Sequence, residues 1–231
     1  MCSNYRPVTS MDRMLTFFGV EREQEEIPRD VFPLGLAPFI RLSTEGQEGG
    51  KPALVAEDGQ FGLSPGAWAK LDYGRKTYNA RSETIDQLPS FKGAWAKGRR
   101  CIIPAEGIYE PNYETGKSVR WLIQQAGGVP MGIAGVYSRW KKPGGGEFFS
   151  FAMVTVNADD HPFMKRFHKA GEEKRMVVIL DPKDYFDWLS VPVDQAKVYF
   201  KQWHGHLEGY PAPLARAPAT TRLPPPQDEL F

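Results

Sequence analysis

Arg120-Trp-Leu-Ile-Gln124, Met131-Gly-Ile-Ala-Gly-Val-Tyr137 and Phe148-Phe-Ser-Phe-Ala-Met-Val-Thr-Val156 follow one another, separated by Gly127-Gly128 and by Gly144–Gly146. Each run is apolar, rich in β-branched and aromatic residues, and too short for a typical helix. Glycine pairs at their borders are turn chemistry, so the stretch reads as three strands in a meander. Arg100-Cys-Ile-Ile-Pro104 upstream and Arg175-Met-Val-Val-Ile-Leu180 downstream read as two further strands. Strands that succeed one another without a helix between them favour antiparallel pairing. The expected fold class is α+β: a single domain with a curved, barrel-like, mainly antiparallel sheet and peripheral helices.

Nearer the N-terminus, Met11, Met14, Leu15 and Phe18 recur at helical spacing within Val8–Val20, with Thr9 or Ser10 as N-cap. Pro33–Leu42 reads as an extended segment entering a strand. Glu57-Asp58-Gly59 between Pro52–Ala56 and Gln60–Leu63 reads as a hairpin turn. Asp181 with Pro182 predicts the start of a short helix to Leu189, and a second short helix is predicted over Val193–Trp203. From Gly209 onward Pro and Ala dominate, which divides the chain into a domain over 1–208 and a tail over 209–231.

At 231 residues the chain can bury about 70% of its unfolded surface without disulfides. Its two cysteines, Cys2 and Cys101, form no disulfide framework, and with the four histidines they show no zinc-ligand spacing, so no metal is expected. No run approaches the roughly 20 apolar residues of a membrane span, and Met1–Arg13 lacks the apolar core of a signal peptide. A cytoplasmic protein with its own N-terminus is the expectation. The net charge of +1 does not mark a nucleic-acid binder, but cations gather at Arg75-Lys76, Lys97–Arg100, Arg139–Lys142 and Lys165–Arg175.

Cys2 is the residue with the most distinctive chemistry. Removal of Met1, which small second residues permit, leaves an α-amine and a thiol on one residue. The amine, with a pKa near ~8, can form a Schiff base with an aldehyde, and the thiol can then close a thiazolidine ring. By position alone Cys2 is as readily an incidental residue of a frayed terminus. Cys101, inside an apolar run, reads as a core thiol. Asn79-Ala-Arg81-Ser-Glu83 offers an amide and a phosphate-binding fork, or a structural ion pair. Glu106 and Glu110 compete as the carboxylate of an acid–base pair, and His168 and His161 as its histidine. His204-Gly-His206 reads as a surface pair.

In their order and spacing these elements resemble the SOS response-associated peptidase family, proteins that crosslink to abasic sites in single-stranded DNA. The resemblance runs from Cys2 to about Leu189 and rests on Met1-Cys2, Ala37-Pro38, Phe61-Gly-Leu-Ser-Pro65 with Trp68, and Asn79–Glu83. It continues through Arg100–Pro104, Gly107-Ile-Tyr-Glu110, Thr155, and His168 ahead of Arg175–Leu180. It implies Cys2 as nucleophile, Asn79 as the group that positions it, Glu110 as the carboxylate and His168 as proton donor to the opening sugar. It implies Arg81 as a phosphate clamp, Pro38 and Trp68 as apolar wedges, and Thr155 and Arg175 among the DNA contacts. Ser3-Asn4 stands where the family commonly carries Gly-Arg, so Arg6 is the substitute cation. Lys169–Lys174 is an insertion beside His168. The resemblance also implies a possible lyase activity and no cofactor, and the family name records peptidase activity. A noncatalytic single-strand-binding module is the further alternative. Gln227-Asp-Glu-Leu-Phe231 resembles short peptides that dock on the DNA sliding clamp.

Overall fold

The computed structural model describes residues 2–22, 27–43, 52–66, 69–70, 72–142 and 144–214. Its strands are β1 (Asn4–Pro7), β2 (Leu36–Ser43), β3 (Ala53–Phe61), β4 (Asn79–Arg81), β5 (Arg100–Asn112) and β6 (Val119–Gln125). They continue as β7 (Met131–Lys141), β8 (Glu147–Asn157), β9 (Arg175–Val177), β10 (Ile179–Leu180) and β11 (Leu207–Pro211). The helices are α1 (Met11–Phe18), α2 (Pro89–Ala96) and α3 (Tyr185–Ser190).

Five strands close a barrel. β5 pairs with β7, β7 with β8, β8 with β3, β3 with β2, and β2 returns to β5 through Ile40 and Ile102. Closure leaves these strands no open edge for unwanted pairing. All of those pairs are antiparallel except β3 with β8, and outside the ring β4 also lies parallel to β8. Phe39, Phe61 and Phe151, from three barrel strands, are fully buried and in ring contact at 5.5–5.7 Å; Tyr5 from β1 joins Phe61 at 5.2 Å. Burial of apolar area of this kind, at roughly 25 cal/mol per Å2, is the main force holding the sheet closed.

Two expectations for the sheet are corrected. The predicted hairpin at Glu57–Gly59 is the middle of a continuous strand, in register with β2 from Ala53 opposite Ser43 to Gln60 opposite Leu36. Gly59 serves packing there: a Cβ on it would lie 2.9 Å from the Phe39 ring and 3.2 Å from the Phe151 ring. The meander is corrected too, since β6 and β7 are joined in sequence but both pair with β5. β6 takes Ile108–Asn112 of that long strand and β7 takes Arg100–Ala105.

α1 begins at Ser10, whose hydroxyl accepts from the Arg13 amide, and ends at Gly19 in the left-handed region. The predicted strand Arg175–Leu180 is interrupted at Val178: β9 pairs with β8 and β10 with β7. Of the helix predicted over Val193–Trp203 only a 3-10 turn at Ala196–Tyr199 forms. β11 pairs with β6 through Pro211, so the sheet runs past Gly209, where composition placed the start of the tail. Among the described residues, no helix is long and apolar enough to cross a membrane.

Candidate active site

β1 runs antiparallel to β5 with Asn4 opposite Tyr109, which brings the residues before Asn4 beside the C-terminal end of β5. Cys2 is there, 1% exposed, its thiol donating to the Asn4 carbonyl at 3.2 Å. β4 lies against β8 with Asn79 opposite Met153. From that position the Asn79 side chain donates to the Cys2 carbonyl at 2.8 Å. The Asn79 amide oxygen is buried and, among the described residues, accepts no hydrogen bond.

Glu110, 2% exposed, is held against His168, with Nε2 of the imidazole 3.1 Å from the carboxylate Oε2. Backbone pairing fixes this contact. The His168 amide donates to the Pro111 carbonyl at 2.8 Å, and Asn112 bridges to Phe167. His168 adopts φ +64°, a left-handed conformation that costs a β-carbon-bearing residue roughly 1–2 kcal/mol. Such strain persists where the surrounding structure enforces it, and it concentrates at functional sites.

Burial and then the Glu110 charge push the Cys2 thiol well above its ordinary pKa. The thiol of this buried cysteine is therefore protonated at neutral pH. Tyr78 shares this environment: burial and the nearby Cys2 and Glu110 charges raise its hydroxyl pKa. Sequence reasoning passed over Tyr78, whose only signal was its place next to Asn79.

The competing candidates lie elsewhere. Glu106 forms a two-pronged pair with Arg13, both contacts at 2.7 Å. His161 is 2% exposed; its Nδ1 accepts from the amides of Phe163 and Met164, and its Nε2 lies 2.7 Å from the Trp203 carbonyl. That histidine organises a turn. Cys101 is fully buried in β5, where burial raises its thiol pKa. Among the described residues no cluster of His, Cys, Asp and Glu has the makings of a metal site.

Arg81, expected to touch DNA, is at the surface, with 45% of its side chain exposed and a 2.8 Å ion pair to Glu173. Arg175, expected among the DNA contacts, lies in a buried ion-pair network. It is 2% exposed, and its guanidinium is taken up by Glu83, Glu173 and both oxygens of Thr155. Thr155, 1% exposed, belongs to the same buried network. Pro38, expected as a wedge, is buried in β2 opposite Asp58. Arg6, the expected substitute cation, is engaged by Tyr109 at 2.8 Å and Asp30 at 3.7 Å. Trp68 and Gln227–Phe231 lie outside the described residues.

The family model of the SOS response associated peptidase (SRAP) matches residues 1–213. The chain belongs to the SRAP family. It is similar to the abasic site processing protein YoqW of Bacillus subtilis, 27% identical over 195 residues that make up 82% of this chain and 80% of that one. It is also similar to the abasic site processing protein HMCES of Gallus gallus, 29% identical over 170 residues, 62% of this chain and 48% of that one. A crystal structure of a protein from Bordetella bronchiseptica superposes with a TM-score of 0.82 at 37% identity, covering 92% of this chain and all of that one. One from Bacteroides thetaiotaomicron shares the fold, with a TM-score of 0.71 at 21% identity over 91% of each chain. This SRAP fold sets the Cys2–Asn79 and Glu110–His168 contacts at the end of a barrel strand.

Proposed function

We propose that this SRAP protein processes abasic sites in single-stranded DNA by forming a covalent thiazolidine through Cys2 after Met1 is removed. The relatives named for abasic-site processing support the substrate class. The observation that carries the chemistry is the placement of Cys2, held through its carbonyl by Asn79, with its thiol in the field of Glu110.

An abasic sugar is mostly a closed hemiacetal, so an acid must help release its aldehyde. His168 gives a proton to the opening ring, and Glu110 takes one from the Cys2 ammonium. The free amine adds to the aldehyde, and loss of water leaves an imine. The thiol then adds to the imine carbon, its proton passing to the nitrogen. One molecule of water is lost overall. The Asn79 oxygen, which has no partner among the described residues, is suited to accept from the Cys2 amine throughout. Arg81 is the exposed cation for a flanking phosphate. Beta-elimination from the imine would make the same site a lyase, and Leu230 and Phe231 would dock the tail on the sliding clamp.

The test mixes the Met1-processed protein with a single-stranded abasic oligonucleotide and resolves the products under denaturing conditions. An adduct that Cys2→Ala abolishes is the expected result. No adduct from protein with confirmed Met1 removal refutes the proposal; release of a peptide instead supports peptidase activity. A tail peptide that fails to bind clamp, or binds equally after Leu230→Ala and Phe231→Ala, removes the docking role.

A further inference from the structure

Beside the candidate active site lies a pocket of about 280 Å3 that touches Ser3 and Glu110 and is lined by Phe32, Pro111, Leu214 and Arg120. It is slightly below the roughly 300–1,000 Å3 of pockets that enclose whole small ligands, a volume suited to one ring system of a larger molecule. Alternation along β5 sends Tyr109 and Pro111 to the face opposite Glu110, so the pocket adjoins the reaction centre without duplicating it. Phe32 and Leu214 are apolar yet 44% and 58% exposed.

The decisive feature is Arg120. Its guanidinium lies 3.3 Å from the centroid of the Tyr109 ring. Its nitrogens are held at their edges: Nη2 donates to Asp30 at 2.9 Å and Nη1 to the Ala212 carbonyl at 3.0 Å. The Asn4 amide oxygen, turned toward it, accepts from Nε and Nη2. Asp30 is fixed in turn by the Tyr109 hydroxyl at 2.7 Å. A phosphate would need those edge donors, and they are engaged within the chain. What Arg120 offers a ligand is a flat cationic face, the surface on which unstacked bases are received.

We propose that this pocket is a nucleobase subsite, in which a base next to the abasic sugar stacks on the Arg120 face against Phe32, Pro111 and Leu214. The proposal rests on the single-stranded DNA reading above and extends it to a base the reaction does not consume. The segment after β11 supplies one wall, because the chain leaving Pro211 is tied to Arg120 through Ala212 and sets Leu214 at the pocket.

The test uses the full chain and noncovalent affinity, with Cys2→Ala preventing adduct formation. The strands carry 2-aminopurine on the 5′ or the 3′ side of the lesion, or a base-free tetrahydrofuran spacer there instead. Quenching of 2-aminopurine is expected on one side only. Replacing that base by the spacer weakens binding about five-fold or more. Arg120→Lys weakens binding to the intact strand by a similar factor and makes affinity indifferent to the spacer. The exposed pair Phe32→Ala with Leu214→Ala does the same without disturbing the fold. Equal affinity for base and spacer strands overturns the subsite, as does an Arg120→Lys loss that is the same on both. Failure of the covalent reaction in the wild type would refute the proposed function separately, because this affinity does not depend on the adduct.

Discussion

Glu110 faces the Cys2 thiol from a position where neither is solvated, and their interaction is the first thing a substitution should expose. Removing the charge with Glu110→Gln takes away an anion that disfavours the thiolate, so the Cys2 pKa falls. Thiol alkylation followed against pH is expected to shift to lower pH, while adduct formation slows by about 100- to 10,000-fold as proton transfer is lost. An unchanged alkylation profile would mean that the two groups do not sense each other. His168 allows a cleaner stability experiment. His168→Gly and His168→Ala both lose the imidazole, but only glycine tolerates φ +64° without strain. The glycine variant is expected to be more stable by about 1 kcal/mol in denaturant titration. If alanine were as stable, the backbone at 168 would not be strained.

Among the elements, the pairing of β8 with β9 sets the surroundings of the Arg175 guanidinium. Arg175 sits among cationic residues in the chain and looks like a phosphate contact, yet the β8–β9 pairing buries it on Thr155 with Glu83 and Glu173 around it. Arg175→Ala should therefore cost about 3–5 kcal/mol of stability. Arg81→Ala, in an exposed pair, should cost about 0.5 kcal/mol or less while lowering the salt dependence of DNA binding by about one phosphate contact. A stable Arg175→Ala chain with weakened DNA binding would reverse the assignment. The individual strands of the Arg100–Val156 region were legible because apolar runs and glycine turns are local signals. Their partners were not, because a 13-residue strand that serves β6 and β7 at different ends leaves no local trace. Glu57-Asp58-Gly59 misled for the same reason: a turn composition was overridden by Phe39 and Phe151 packing over Gly59. Cys2, Asn79, Glu110 and His168 were legible only through their family order, since 166 positions separate the first from the last. Arg120 and Leu214 carried no motif, because their importance arises from the Tyr109 ring and from β11 closing on β6.

For the whole molecule, charged clusters link the N-terminal segment to the sheet and should set its behaviour in acid. Burial alone would raise the Asp30 carboxyl, but hydrogen bonds from Tyr109 and Arg120, with the Arg120 and Arg6 charges, hold it below its ordinary value. Burial likewise works against Glu83, and Arg175 more than offsets it. Both carboxylates bind protons more weakly folded than unfolded, so their contribution is complete above the unfolded pKa near ~4 and fades as pH falls through the folded values. Denaturant midpoints should drop on acidification from pH 5 to 3, and Asp30→Asn should flatten that drop; an equal slope in the variant would remove Asp30 as a cause. The barrel end thus joins a stabilising charge cluster to the buried Cys2, the residue proposed to capture the aldehyde. Intact-mass measurement after reaction with a single-stranded abasic oligonucleotide tests that capture most directly. The expected mass is the chain lacking Met1, plus the oligonucleotide, minus one water, with fragmentation placing the DNA on Cys2. Unmodified protein, or an adduct mapped to a lysine and retained in Cys2→Ala, would contradict it.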